Sequence, residues 1–218
     1  MSEPEFDKIR DQLVLAVLPH AVFEGWSMTA LQAAATDLGL DPSMPERAFL
    51  AGPVAAVEHF VALADQMMVE DLAGTDMAAL KVPERVFKAV AVRLERWQPH
   101  REAIRRAMAL LALPGNALAA TRVTCRTIDA IWRAAGDTSH DFSWYTKRAT
   151  LTAVYSATML YWLDDSSDDG ADSLAFLRRR LADVGRVTQM RRKVEGWLTG
   201  TGGRARRPGR PAARPAQR

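Results

Sequence analysis

The chain has 218 residues, 48% hydrophobic and 25% charged, which is enough apolar material to bury a core in one domain or two small ones. Its formal charge of +3 comes from Arg204, Arg206, Arg207, Arg210, Arg214 and Arg218 in a tail without acids; without those six, 23 basic residues face 26 acidic ones, a net charge of −3, which excludes a body built to attract nucleic acid. Cys125 is the only cysteine, which excludes an intramolecular disulfide and a thiolate zinc cage and fits a reducing compartment.

The N-terminal stretch MSEPEFDKIRDQL carries acids where a secretory or transit peptide needs basic residues, so a cytoplasmic chain is expected. Phe6, Ile9, Leu13 and Val17 predict a first helix that stops at Pro19. Ser27 is placed to cap a second helix carrying Leu31, Ala34, Ala35 and Leu38 and closed by Gly39. Asp41 and Pro42 open a third, very short helix through Phe49, and a fourth starts at Pro53 with Val57, Val61, Ala64 and Met68. Val86, Val90, Leu94 and Trp97 space a fifth helix that ends before Pro99. Ile104, Met108 and Leu111 space a sixth, ending before Pro114 and Gly115; Leu118, Cys125, Ile128 and Trp132 space a seventh, stopping at Gly136. Cys125, beside Ile128, is expected to be a buried, inert thiol.

The stretch from Asp137 to Asp172 organises the rest. Phe142, Trp144 and Tyr145 stand among acids and the pair Lys147 and Arg148, and a run without charge follows from Ala149 to Leu163. Leu151, Val154, Tyr155, Thr158, Met159 and Trp162 recur at steps of three and four, and alanines and Leu160 fill the other sides. A helix apolar nearly all round is expected to lie inside an all-helical body, and it is too short for the roughly 20 residues a membrane span needs. The aromatic cluster at its mouth is either the edge of the core or a contact surface, since exposed Trp and Tyr bury much area at little entropy cost.

An acidic loop, Asp164 to Gly170, precedes Asp172, the expected N-cap of the last helix. From Asp165 its spacing imitates the start of a calcium loop, but Phe176 occupies the twelfth position, where a bidentate Glu is required, so a solvated loop and no metal are expected. The last helix carries Leu174, Leu177, Leu181, Val184, Val187, Met190, Val194 and Trp197, with Arg178, Arg179, Arg186, Arg191, Arg192 and Lys193 around them. Such a helix either lies in a membrane interface, with Leu181, Val184, Val187, Met190, Arg191, Arg192 and Trp197 as its contacts, or docks on the body with a solvated basic side. The Gly, Pro and Arg tail cannot form a core and is expected to be disordered. The expected divisions are 1–74, a helical N-terminal part; 75–170, a helical bundle; 171–198, the amphipathic helix; and 199–218, the tail. No segment alternates as a strand does, so the fold is expected to be all-α, with about nine helices. His20, His59, His100 and His140 are scattered without ligand spacing, and no glycine-rich phosphate loop follows a strand. No cofactor and no catalytic residue are expected.

The spacing around Trp26, Thr29, Ala34, Gly39 and Phe49 resembles the N-terminal helix-turn-helix of TetR-type regulators. A DNA-reading helix needs basic and polar side chains, whereas DPSMPERAF holds two prolines, two acids and only Arg47, so no specific DNA binding is expected. A second resemblance covers the chain to about Trp197: LPHAVFEGWSMTAL, DLGLD, RLERWQPHREAIRRAMALLALPGNA and DAIWRAAGDTSHDFSWYTKRATLTAVYSATMLYWLDD are similar to the Coq-nine family of ubiquinone-biosynthesis accessory proteins. That resemblance implies a TetR-like bundle that has lost DNA binding, forms a homodimer and binds an isoprenoid quinone or phospholipid. It also implies association with an anionic membrane surface, here the inner face of a bacterial inner membrane, and help to the demethoxyubiquinone di-iron hydroxylase. It places the partner-facing patch at Trp144, Tyr145 and Arg148 with Asp141 beside them; Ser143 stands where the family more often has Asn. Met108, Trp132, Leu151, Tyr155, Met159 and Trp162 are the expected lipid-lining residues. The reading from another class is a TetR-type ligand-responsive transcriptional regulator.

Overall fold

A computed structural model of the chain describes residues 3–137 and 142–198, with side chains described over 5–137 and 144–186. Ten α-helices and four single 3₁₀ turns make up the described residues, with no strand among them. The helices are α1 (Glu3–Ala16), α2 (Leu18–Glu24), α3 (Met28–Asp37), α4 (Met44–Ala48), α5 (Pro53–Leu72), α6 (Val82–Trp97), α7 (Arg101–Leu111), α8 (Ala117–Ala134), α9 (Phe142–Asp164) and α10 (Ala171–Leu198).

The one helix absent from the sequence expectation is α2. Pro19 was expected to stop the first helix, but it lies at the start of a new one, where a missing N–H costs no hydrogen bond. Elsewhere the local signals act as their chemistry demands. Ser27 accepts a hydrogen bond from the Ala30 N–H at 3.1 Å. Gly39 and Gly136 follow α3 and α8 with φ of 67° and 76°, the left-handed conformation that releases a helix from its axis.

The first of two compact units is Met1–Leu181; the second is Ala182–Arg218. Position 74 therefore lies inside the first unit, and the break falls within α10. Helix α5 is the spine of the first unit, packing against α1, α6 and α8, while α8 also carries α9. A ladder of rings runs through it: Trp26 lies 5.4 Å from Phe60, and Phe60 4.8 Å from Trp97 in an edge-on contact. The Trp26 indole N–H donates to the Ala103 carbonyl at 2.9 Å, fixing α7 to the turn before α3.

Helix α9 is buried on one side only. Leu151, Val154, Tyr155, Thr158 and Trp162 face inward, whereas Leu160 is 59% exposed and Ala149, Ala153 and Ala157 lie at the surface. The expectation of a helix enclosed all round fails because small alanines need no cover; their exposure costs little. Cys125 is also exposed, against expectation. It lies two residues, about 200° of helix turn, beyond the buried Val123, so it points away from the face that packs.

The acidic loop is exposed at Asp164, Asp168 and Asp169, in keeping with the solvated loop expected, but Asp165 is part of the framework. Asp165 is 6% exposed, and its carboxylate accepts from the Ser167 N–H and the Ser173 N–H, each at 2.8 Å, as well as from both serine hydroxyls. Burial pushes its pKa up, but these four hydrogen bonds outweigh burial and hold it down at about 2. Asp172, expected as the N-cap, instead donates its own backbone N–H to Ser167 Oγ at 3.0 Å. Arg101 donates to the Asp165 carbonyl, Arg105 to the Leu163 carbonyl, and Arg105 pairs with Asp164 at 2.8 Å. These contacts clamp the end of α9 onto α7. The first turns of α10 belong to the same body, since Ser173 and Leu177 are fully buried.

Candidate functional site

Five helices, α5 to α9, line a cavity of about 300 Å³. Its inner wall is buried: Val57, Phe60 and Ala64 from α5, Leu94 and Trp97 from α6, and Trp162 from α9. Towards the rim the lining residues become partly or fully exposed, including Met108, Leu111, Ala112, Ser156, Met159 and Leu160. A concave, mostly apolar space with a few fixed polar groups is the usual form of a small-molecule site.

Those polar groups form one network from four helices. Arg93 of α6 lies 2.8 Å from Asp65 of α5, with the two side chains only 8% and 7% exposed. Thr127 of α8 donates its hydroxyl to Asp65 at 3.0 Å, and the Arg93 Nε–H donates to the Tyr155 hydroxyl oxygen of α9 at 3.1 Å. Arg93, Thr127 and Tyr155 line the cavity; Asp65 stands behind them. Burial raises the Asp65 pKa, and the Arg93 charge and the Thr127 hydrogen bond offset only part of that rise. A buried pair of this kind is held by its geometry, because removing either partner leaves a charge without water or counterion. None of the lining residues is His, Cys, Asp or Glu, and the described residues hold no cluster of three or more such groups fit for a metal. The chemistry on offer at the wall is hydrogen bonding and apolar contact.

Of the six residues expected to line a pocket, Met108, Tyr155, Met159 and Trp162 do so, coming from α7 and α9. Leu151 and Trp132 do not. Leu151 is 2% exposed and lies outside the lining, a full turn before Tyr155 on α9. Trp132 lies at the far end of α8, with the Lys147 ammonium 5.6 Å from its ring centre. The sequence reading omitted Asp65, Arg93 and Thr127.

The patch at the start of α9 is more tightly tied than a free surface would be. Arg148, with its side chain 15% exposed, pairs with Asp129 at 2.5 Å and with Asp137 at 3.4 Å, and its guanidinium lies 3.9 Å from the Trp144 ring centre. Lys147 pairs with Asp137 at 2.8 Å. Trp144 is half-buried, while Tyr145, edge-on to it at 4.8 Å, is 68% exposed. Asp141 lies outside the described residues. On α10, Leu181 and Val184 are half-buried and Arg186 is exposed, pairing with Asp183 at 3.6 Å; Val187, Met190, Arg191, Arg192 and Trp197 are outside the described side chains. Among the described residues no helix is long and apolar enough to cross a membrane.

Fold and cavity together define a TetR-like helical protein with an internal, largely apolar site. A TetR transcriptional regulator from Nitrosomonas europaea shares the fold, with a TM-score of 0.65 at 19% identity over 80% of this chain and 97% of that one. The family model for COQ9 matches residues 117–188, which hold α8, α9 and the first part of α10. The ubiquinone biosynthesis protein COQ9 of Drosophila melanogaster is 33% identical over 198 residues, 89% of this chain and 60% of that protein. Its human counterpart is 30% identical over 82% of this chain and 58% of that protein; both are described as mitochondrial. The chain thus spans about 60% of the length of the curated relatives it matches. Its resemblance to the Coq-nine family extends over most of its length in these relatives and over residues 117–188 in the family model.

Proposed function

We propose that the chain is a non-catalytic, lipid-binding accessory protein of ubiquinone biosynthesis, which takes isoprenoid quinone precursors into its cavity and presents them to the demethoxyubiquinone hydroxylase. The observation that carries this reading is the 300 Å³ cavity walled by Phe60, Trp97, Met108, Met159 and Trp162 in a chain similar to proteins named for ubiquinone biosynthesis. A quinone precursor resides in the bilayer, and lifting it out costs roughly 25 cal/mol for each Å² of apolar surface exposed. Apolar walls offset that cost. The protein works as a homodimer at an anionic membrane surface, where the later part of α10 and its basic residues make contact. Tyr145 and Trp144 meet the hydroxylase.

Solvent extraction of the purified protein, followed by mass spectrometry, tests the reading. Prenylated quinones or their precursors are expected in preparations from quinone-producing cells, and repeated empty preparations would overturn it. The regulator reading is favoured by the shared TetR fold alone. Against it stands α4, a five-residue helix with Pro45 at its start, and Arg47, the only basic residue of the helix, turned onto the Met44 sulfur at 3.7 Å. Retention of an operator fragment by the purified chain would revive it.

A further inference from the structure

We infer that the polar inner end of the cavity is a subsite for one alcohol hydroxyl, and that the cavity takes a second class of ligand, a short acyclic alcohol with its hydroxyl innermost. This goes beyond the lipid-accessory reading above and stands on the cavity alone.

Two buried donors at this end lack an acceptor. The Trp97 indole N–H and the Arg93 Nη1, on residues 6% and 7% exposed, have no aligned hydrogen-bond partner among the described residues, although Nη1 keeps its charge contact with Asp65 at 2.8 Å. Buried donors without partners are rare, because each forfeits its hydration and gains nothing. Trp97 follows Arg93 by four residues on α6, so both lie on one face of that helix. The Tyr155 hydroxyl of α9 accepts from the Arg93 Nε–H at 3.1 Å and keeps its own proton to give, a proton made a better donor by that bond. The acceptors come from α8. Thr124 and Thr127 spend their protons on the Ala120 carbonyl at 2.8 Å and on Asp65 at 3.0 Å, and each hydroxyl oxygen can still accept. They stand three residues apart, again on one face, and both line the cavity.

Donors from α6 and α9 together with acceptors from α8 suit a group that plays both parts. A hydroxyl oxygen accepts twice and donates once. An ether or carbonyl oxygen would leave the threonines unused. A carboxylate or phosphate would in addition shed its hydration beside an Arg93 that Asp65 already neutralises. The size of the space sets the length of the chain. At about 20–30 Å³ for each non-hydrogen atom, close to the share of a water molecule, 300 Å³ holds about ten to fifteen atoms, and Val57, Phe60, Ala64 and Leu94 wall it for an aliphatic chain. A prenyl tail that enters instead has no polar end to offer there; it leaves the hydroxyl's place to water, which also accepts and donates, and keeps its ring at the rim beside Met108, Met159 and Leu160, where a partner reaches it. Alcohol and prenyl tail therefore exclude one another.

The test uses the full chain and three probes: 1-decanol, its isomer methyl nonyl ether, which has the same atoms but can only accept, and decanoate. Calorimetric titration at pH 7.5 is expected to show about five- to tenfold tighter binding of the alcohol than of the ether, and binding of decanoate at least tenfold weaker than of the alcohol. In the spectrum of the chain with isotope-labelled tryptophan, the Trp97 indole N–H resonance is expected to move downfield with 1-decanol and not with the ether at saturation. The Trp26 resonance should stay, because that N–H already donates to the Ala103 carbonyl at 2.9 Å. Tyr155→Phe removes one donor and unties the guanidinium from α9, and should weaken 1-decanol about five- to tenfold. Should that variant not fold, the isomer pair and the Trp97 resonance decide. Equal affinity for alcohol and ether, or a Trp97 resonance unmoved by bound alcohol, overturns the subsite and leaves its place to water. Decanoate binding as tightly as the alcohol overturns the preference for a hydroxyl, and an unchanged affinity in folded Tyr155→Phe overturns the part of Tyr155 and Arg93. A ubiquinone with two prenyl units is expected to compete with 1-decanol; binding of both at once overturns the shared cavity. Failure of that quinone to bind at all overturns the quinone reading, and the isomer pair still decides the hydroxyl subsite.

Discussion

Replacing Arg93 with Met tests how the cavity's polar end is held. The substitution keeps most of the aliphatic volume and removes the guanidinium that lies 2.8 Å from Asp65 and 3.1 Å from the Tyr155 oxygen. Both members of the pair are more than nine-tenths buried as side chains, so solvent cannot screen the charge left behind. Breaking a buried pair from one side costs about 3–5 kcal/mol. For a chain of this length that is a fall in melting temperature of about 6–20 °C. The pH dependence follows from Asp65, whose pKa burial already raises and Arg93 partly restores. Without Arg93 it rises further. A carboxyl group with a folded pKa above its unfolded value weakens the fold at pH above the folded pKa. That penalty fades as pH falls through the folded pKa and is gone below the unfolded value of about 3.9. Urea unfolding is therefore expected to show the full loss at pH 7.5 and a smaller loss at pH 5. The double variant Asp65→Leu with Arg93→Met should lie within about 1–2 kcal/mol of wild type, since it removes both charges. A loss under about 1 kcal/mol at pH 7.5, or a larger loss at pH 5, would refute the account of a dry, mutually dependent pair.

Asp165→Asn is expected to destabilise the chain by about 2–3 kcal/mol, because the amide can accept at only one atom where the carboxylate accepts four hydrogen bonds. With its pKa depressed to about 2, the wild-type carboxylate contributes about 2 kcal/mol that is present above pH 4 and lost as pH falls through 2; acid titration of stability should show that loss in the wild type and not in Asp165→Asn. Truncation after Leu181 is expected to leave a folded body and to reduce binding to anionic liposomes in a flotation assay, whereas truncation before Ala171 would also remove the buried Ser173 and Leu177. Unchanged flotation of the 1–181 chain would refute membrane contact by the later part of α10. At the start of α9, Tyr145→Ala should change melting temperature by less than about 2 °C and weaken co-purification with the hydroxylase, while Arg148→Glu should lower stability by about 2–4 kcal/mol through repulsion from Asp129 and Asp137. A stable Arg148→Glu protein would refute the clasp.

The helices other than α2 were legible because each states its period and its ends. Ser27, Gly39 and Gly136 do locally what their chemistry requires, and no distant contact is needed to place them. Burial was less legible. The run from Ala149 to Leu163 marks its inward face by the spacing of Leu151, Val154, Tyr155, Thr158 and Trp162 but gives no sign that the other side faces water, since alanine is indifferent to it, and only the packing of α9 on α7 and α8 decides. Cys125 shows the same limit. The cavity's polar end did leave a mark: Asp65 follows Val61 by four residues and precedes Met68 by three, and Arg93 stands three after Val90 and four before Trp97. A lone acid and a lone base, each at core spacing on its own helix, are the signature of a buried pair. Which helix each would meet depends on the bundle, and Thr127 carries no such mark.

The geometry also decides which substitutions can separate ligand from membrane. Trp162 lines the cavity, donates its indole N–H to Gln98 at 2.8 Å, and lies under the Arg101 guanidinium at 5.1 Å. Arg101 in turn holds the Asp165 carbonyl, and the Asp165 carboxylate holds Ser173 in the first turn of α10. Gln98 reaches the same junction from below, 3.4 Å from the position a side chain on Gly170 would occupy. Cavity wall and helix base are thus one contiguous packed structure, and a change at Trp162 disturbs both at once. Tyr155 is free of this difficulty, because its hydroxyl contacts Arg93 on α6 and nothing at the junction. The residues after Leu181 are free of it from the other side, because among those whose side chains are described none lines the cavity. Only that pairing, Tyr155→Phe for the ligand and truncation after Leu181 for the membrane, assigns a loss of either activity to one cause.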